Sequence, residues 1–109
     1  MSISEMKDLI LADLKIELSD DSMLNEDILS LKVDNAIREV KSARNYPKSY
    51  TQEMIEEDMD QFYINIKRIA LYDYNQVGIE GQITSSENGE SRTFVSRESL
   101  FHGIIPFAF

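Results

Sequence analysis

The sequence predicts a mostly helical α+β domain with three helices, a β-hairpin after the long third helix and an extended C-terminal arm. Three observations lead to this prediction. Apolar residues recur at helical spacing through residues 51–77, the pair Asn88-Gly89 lies between two strand-capable runs, and residues 100–109 are unusually apolar. Apolar steps of three and four residues are typical of a helix that buries one stripe. Asn-Gly between strand-capable runs is the strongest short-range indication of a hairpin.

The first two predicted helices span residues 4–15 and 21–45, and either Ser2 or Ser4 is expected to cap the first of them. Residues 19–22 are expected to form the loop before the second helix and its N-cap. The predicted core stripes consist of Ile3, Met6, Ile10 and Leu14 on the first helix, and Leu29, Val33, Ala36, Ile37, Val40 and Ala43 on the second. A second apolar face at Leu24, Ile28 and Leu31 predicts either a helix sandwiched between neighbours or a contact with another subunit.

The third predicted helix covers residues 51–77, with Thr51 as its N-cap and Gly78 as its C-terminal stop. Its stripe contains Ile55, Met59, Phe62, Ile66, Ile69, Ala70 and Val77. Asp73 falls within this stripe, four residues beyond Ile69, so its carboxylate needs a partner where it is partly buried. The candidate partners are Arg97, Arg92 and, from the second helix, Arg44.

The hairpin is predicted at residues 82–95, with a type I′ turn at Asn88 and Gly89, and the C-terminal arm at residues 99–109. The arm has many apolar anchors for a short terminal stretch. It is expected to pack either on its own domain or on another molecule, and the number of anchors favours another molecule.

The composition indicates one acidic domain covering residues 1–109, with 20 Asp and Glu, 11 Lys and Arg, and a formal charge of −9. No apolar run approaches the ~20 residues of a membrane span, and the N-terminus does not resemble a signal peptide, so no membrane contact is expected. The acidic balance argues against wrapping a nucleic acid. It suits a protein that DNA passes without sticking, a protein that meets a basic surface, or simply solubility.

Charged clusters leave alternatives open on the second and third helices. Arg38, Lys41 and Arg44, spaced by three, indicate either a solvated face that pairs with acids of the third helix or a contact with an acidic partner. Glu53, Glu56, Glu57, Asp58 and Asp60 could hold Mg²⁺, but the third helix lacks the second acidic pair of helical pyrophosphohydrolases. The single histidine, His102, has no acid cluster beside it. An enzyme is therefore not expected, nor is any metal or cofactor.

The order of parts resembles the small head–tail connector proteins of tailed bacteriophages, which are also described as DNA-packaging or head-completion proteins. The matching features are two leading helices separated by Asp20-Asp21, a long third helix, Gly78-x-Glu80-Gly81, a Ser- and Gly-containing hairpin at residues 85–91, and the aromatic Phe94. The apolar end that contains Pro106 matches as well. The resemblance extends over nearly the whole chain.

This resemblance implies a ring of identical subunits that docks on the portal of the capsid, extends the DNA channel and joins the head to the next connector, stopper or tail-completion protein. The virion's head–tail junction would be its location, after assembly in the host cytoplasm. The implied portal-binding arm comprises Leu100, Phe101, Ile104, Ile105, Phe107 and Phe109. The implied contacts with a neighbouring subunit or the next ring involve Ser86, Asn88, Gly89 and Arg92. The implied channel-facing acids are Glu53, Glu56, Glu57 and Asp60.

Two other classes of protein compete with this interpretation. A small acidic regulator that mimics DNA would present a contiguous acidic face to a basic partner, and it would need no apolar tail. A metal-dependent hydrolase would require four carboxylates converging from two helices.

Overall fold

Four α-helices form the domain in a computed structural model of the chain, which describes residues 1–20, 22–79 and 96–107. They are α1 (Ile3–Glu17), α2 (Glu26–Arg44), α3 (Gln52–Met59) and α4 (Tyr63–Ile79). A 3₁₀ turn at Asp60–Phe62 separates α3 from α4, and a 3₁₀ helix at Arg97–Phe101 begins the C-terminal part. We call residues 96–107 the C-terminal segment.

The predicted α+β class is wrong, because the domain is mostly helical and the described ranges contain no strand, so the predicted hairpin is not seen. Its residues, 82–95, lie outside the described residues, and with them Ser86, Asn88, Gly89 and Arg92. The physical reason is that the helices supply nearly the whole described core. Every buried apolar side chain of the described residues belongs to α1, α2, α3, α4, the intervening 3₁₀ turn or Ile104, so no sheet face is needed to cover the helices.

The helix starts follow local capping chemistry. Ser2 caps α1, since its hydroxyl accepts from the Glu5 amide while the Glu5 carboxylate accepts from the Ser2 amide, which makes a capping box. Thr51 caps α3 as predicted. The second helix begins at Glu26 rather than at residue 21, because the Asn25 side chain accepts from the Ile28 amide.

The long third helix of the prediction is divided into α3 and α4. Tyr63 donates its amide to the Asp60 carbonyl in the tighter 3₁₀ pattern. The Gln61 side chain meanwhile donates to the main-chain oxygen of Asp58 at 3.1 Å. The Gln61 side chain therefore satisfies the Asp58 carbonyl at the junction of α3 and α4. At its other end, α4 continues through Gly78 to Ile79 instead of stopping at residue 77.

Ion pairs and hydrogen bonds show how the helices run relative to one another. Lys7 pairs with Asp34, and Lys15 pairs with Glu26, so α1 and α2 are antiparallel. Tyr63 bonds to Asp13 and Lys67 pairs with Glu17, so α1 and α4 are parallel. The most extensive packing joins α2 to α4.

The core confirms the predicted stripes except at Val77, whose side chain lies outside the described part of the structure. The buried side chains are Met6, Ile10, Leu14, Leu29, Val33, Ala36, Ile37, Val40, Met59, Phe62, Ile66, Ile69, Ala70 and Ile104. Ile3, Ala43 and Ile55 are partly buried against this cluster. The second apolar face predicted for the second helix is divided, because Leu24, which precedes α2, packs against the core while Leu31 is exposed. Three helical stripes thus meet in one cluster, to which the C-terminal segment adds Ile104.

Candidate functional site

The C-terminal segment folds back over the helices and is held there by two arginine clusters. The first is centred on Arg97, at the start of the 3₁₀ helix. Its guanidinium donates to both carboxylate oxygens of Asp73 on α4, at 2.8 and 2.7 Å, and to Glu39 on α2 at 2.8 Å. The Asp73 side chain is 17% exposed. The predicted arginine partner of Asp73 is therefore confirmed, and it is Arg97.

The second cluster is centred on Asp58 of α3, which sequence reasoning did not single out. Arg44, the last residue of α2, donates to both Asp58 oxygens, from Nε at 2.8 Å and from Nη2 at 3.1 Å. Tyr46 and Gln61 add hydrogen bonds of 2.7 and 2.8 Å to the same carboxylate. The sequence did carry a signal, because Asp58 is three residues after Ile55 and four before Phe62, on the buried face of the helix.

The contacts shift the pKa values of Asp58 and Tyr46 in one cluster and of Arg97 in the other. Hydrogen bonding to Arg44 lowers the pKa of Asp58, and the Tyr46 hydroxyl acts in the same direction. Burial and the hydrogen bond to Asp58 raise the pKa of Tyr46. The Asp73 and Glu39 carboxylates raise the pKa of Arg97 further above its ordinary value. The contacts therefore favour the ionised form of Asp58 and the charged forms of Arg44 and Arg97.

The end of the C-terminal segment is tied to α2 mainly through its backbone. The Phe107 amide donates to the Arg44 carbonyl at 2.9 Å, and Arg44 Nη1 donates to the Ile105 carbonyl at 2.6 Å. The Arg44 guanidinium lies 4.1 Å from the centre of the Phe107 ring, which also contacts Tyr46 and Tyr50. On α4, the Asn65 amide group donates to the Leu100 and His102 carbonyls. The segment is therefore part of the domain.

This packing corrects the expectation that the predicted arm packs on another molecule. Ile104 is buried in the core, Leu100 and Phe101 are partly buried against it, and Phe107 packs on the two tyrosines. Ile105 is the exception, because its side chain is 68% exposed. Phe109 lies outside the described residues. A role in binding a portal stays a prediction, and within the described segment Ile105 is the exposed anchor.

The four acids predicted to face a channel fall into two pairs. Glu53 and Glu57 are exposed on α3. Glu56 accepts from the Ile3 amide at 3.3 Å, and Asp60 accepts from the Met1 amine at 2.8 Å, so these two contact the start of α1. Of these four acids, Glu53 and Glu57 alone make no hydrogen bond or ion pair with the part of the chain that the structure describes.

The basic strip of α2 is likewise divided. Arg44 pairs with an acid of α3, which confirms for this residue the interpretation as an ion-pairing face. Arg38 and Lys41 instead line a shallow groove of about 520 Å³, together with Lys48 from the loop after α2. Tyr46, Tyr50 and Ile55 form the aromatic and apolar part of its lining. The groove is thus basic on an otherwise acidic protein.

Several large apolar side chains remain exposed. On α1, Leu9 is 50% exposed and Ile16 is 72% exposed, with the exposed Ala12 between them. The spacing of these three residues places them on one helical stripe, which we call the α1 stripe. Ile64 is exposed on α4, whereas Leu71, seven residues further along the same helix, packs against the core.

Within the described ranges, no group of three or more His, Cys, Asp or Glu side chains is arranged to hold a metal ion. None of the helices there is both long enough and apolar enough to cross a membrane. No family model matches the chain, and neither a curated protein nor a solved structure shows significant similarity to it.

Proposed function

We propose that this protein is a structural subunit of a phage head–tail connector, which assembles as a ring on the portal and joins it to the next connector or tail protein. The proposal combines the sequence resemblance with the surface of the folded domain. In this role the subunit contacts several neighbouring proteins at once, and no residue is assigned a catalytic part.

The observation that carries the proposal is the exposure of large apolar side chains on two separate elements. The α1 stripe presents Leu9 and Ile16, and the C-terminal segment presents Ile105. Single exposed apolar residues are ordinary, but two that share a helical stripe two turns apart form a surface that a neighbour can cover. A ring subunit needs such surfaces, because it contacts adjacent copies and the portal at the same time.

The anchoring of the C-terminal segment suits the same role. Arg97 joins it to α2 and α4, and Arg44 holds the Ile105 carbonyl, so the exposed Ile105 side chain has a fixed position relative to the helices. A preorganised anchor loses less conformational entropy on binding than a free tail would lose. In this proposal, Ile105 is the described arm residue that contacts the portal.

The test is co-expression of the full chain with the portal protein encoded in the same genome, followed by electron microscopy of the purified particles. We expect a ring of additional density on one end of the portal. Portal particles without such density, together with no binding of the chain to the portal in pull-down at low salt, would contradict the proposed function.

A pair of variants tests the contribution of the α1 stripe. Leu9→Glu combined with Ile16→Glu should remain helical but should lose incorporation into the ring, because two charges would be desolvated at the contact. The control is Ser4→Glu combined with Ser22→Glu, which adds the same charge at two exposed serines. Equal incorporation of both double variants would show that the stripe is not a contact surface.

A further inference from the structure

The basic groove beside α3 contains cations that the described residues do not neutralise. Arg38, Lys41 and Lys48 line it, and none of the three has an ion-pair partner in the described part of the chain. By contrast, Lys7, Lys15, Arg44, Lys67 and Arg97 each pair with an acid. On a chain with a formal charge of −9, three unpaired cations gathered in one groove are available to an acidic partner.

The complementary feature is a pair of acids on the same chain. Glu53 and Glu57 are exposed, lie four residues apart on α3, and contact no cation in the described residues. Like charges at this spacing repel each other and destabilise a helix, and a cation placed against them removes the repulsion. The cations of a basic groove placed against Glu53 and Glu57 would therefore remove the repulsion between these two charges.

The basic groove and the acidic pair lie on different sides of α3. Ile55 lines the groove, and Glu53 and Glu57 each lie two residues away from it. Because an α-helix turns by about 100° per residue, both glutamates project from the side of α3 roughly opposite to Ile55. One subunit consequently cannot join its own acidic pair to its own groove, but it can offer the pair to the groove of a second copy.

We infer that the groove binds the Glu53 and Glu57 face of a neighbouring copy of this chain, so that the subunits associate head to tail. The inference rests on the proposed function and specifies the contact between ring subunits. Contacts between two different patches generate either a closed ring or an open filament, whereas a twofold dimer uses one patch twice. Tyr50 and Ile55 provide an apolar floor beside the cations, and the charges fix the register of the contact.

Charge reversal provides the test. The groove variant carries Arg38→Glu and Lys41→Glu, and the acid variant carries Glu53→Lys and Glu57→Lys. Each variant places like charges on both sides of the contact and should not form rings on the portal. An equimolar mixture should form rings again, because the reversed groove of one variant attracts the reversed face of the other, and the arrangement alternates around the ring.

A control with the same net charge separates a local contact from a general charge effect. Lys32→Glu combined with Arg68→Glu reverses two cations that have no ion pair within the described ranges. It changes the formal charge from −9 to −13, as the groove variant does, because each reversal subtracts two units. We expect the control to form rings at concentrations close to those of the wild type. The groove variant should need at least about tenfold more protein, and this difference should shrink in high salt.

Each outcome has a distinct meaning. If the wild type and the groove variant form rings equally well, or if the mixture of two folded variants fails to restore them, the contact assigned here is wrong and the connector function stands. If the wild type forms no ring and does not bind the portal, both the contact and the proposed function are wrong. Circular dichroism of each variant establishes that the helices are intact.

Discussion

The two arginine clusters use the same chemistry to stabilise different parts of the protein. Each has an arginine bound through two nitrogens to one aspartate, and the Asp58 and Asp73 side chains are equally exposed, at 17%. Arg97 belongs to the C-terminal segment and bridges helices that are distant in sequence. Arg44 belongs to α2, pairs with the nearby α3, and holds the C-terminal segment through the Ile105 carbonyl.

The difference lies in what remains when the arginine is lost. Asp58 would retain hydrogen bonds from Tyr46 and Gln61. Asp73 has no further donor among the described hydrogen bonds beyond Arg97. An aspartate with several donors tolerates the loss of one better than an aspartate with a single partner does. Asp58 would therefore keep two hydrogen-bond donors after the loss of Arg44. Arg44 itself has a further role, because it also holds the C-terminal segment.

The largest expected effect is that of Arg44→Ala. The change removes the two bonds to Asp58, the bond to the Ile105 carbonyl and the contact with the Phe107 ring. We expect the free energy of unfolding to fall by about 2–4 kcal/mol, measured by urea denaturation. The control is Arg38→Ala, at an exposed arginine of the same helix, which should change it by less than about 0.5 kcal/mol. Similar values for the two variants would show that the Asp58 cluster contributes nothing to stability.

A second prediction compares two neighbours in the C-terminal segment. Ile104→Ala should destabilise the domain by about 2 kcal/mol or more, because Ile104 is buried in the core. Ile105→Ala should cost less than about 0.5 kcal/mol, because its side chain is exposed. Thermal denaturation of both variants is the measurement. It also sets the expectation for deletion of residues 104–109, which should destabilise the helices rather than leave them unaffected. Equal, small losses would mean that the segment is not part of the core.

The third prediction concerns the single-partner aspartate. Asp73→Ala leaves Glu39 as the carboxylate partner of Arg97 among the described residues, and it should lower the free energy of unfolding by roughly 1–3 kcal/mol. Asp8→Ala, at an exposed acid of α1, is the control and should cost less than about 0.5 kcal/mol. Hydrogen exchange at the amides of residues 97–101 should rise in the first variant only. Unchanged exchange would show that Arg97 does not hold this helix in place.

Features that depend on local rules could be predicted from the sequence. Helical stripes and caps at Ser2 and Thr51 follow from local rules, and Asp73 was identifiable because a charge inside an apolar stripe requires a partner. Asp58 was missed because four neighbouring acids made the whole stretch resemble a solvated face, although its spacing from Ile55 and Phe62 placed it inward.

Specific side-chain contacts, both local and tertiary, decided the features that the sequence did not predict. The 3₁₀ turn depends on a side-chain hydrogen bond from Gln61, and the return of the C-terminal segment depends on Arg44, Asn65 and the tyrosines. The basic groove required the loop after α2 to bring Lys48 beside Arg38 and Lys41. The contacts of the C-terminal segment join residues far apart in the chain, and no periodicity encodes them or the loop geometry that places Lys48.

The smallest expected effect is a dependence on pH that belongs to the Asp58 cluster. The pKa of Asp58 is lowered on folding, first by its hydrogen bonds with Arg44 and then by that from Tyr46. A group whose pKa is lowered by folding stabilises the native state above its unfolded pKa, near 3.9 for aspartate, and loses that contribution as pH falls through the folded value. Asp58→Asn cannot titrate, so the difference in unfolding free energy between wild type and variant should be constant from pH 7 to about pH 5. Below about pH 4 it should shrink, because protonation of Asp58 then weakens the wild type alone. Urea denaturation at several pH values measures this difference, and a gap that stays constant down to pH 2 would place the acid sensitivity of the fold in other carboxylates.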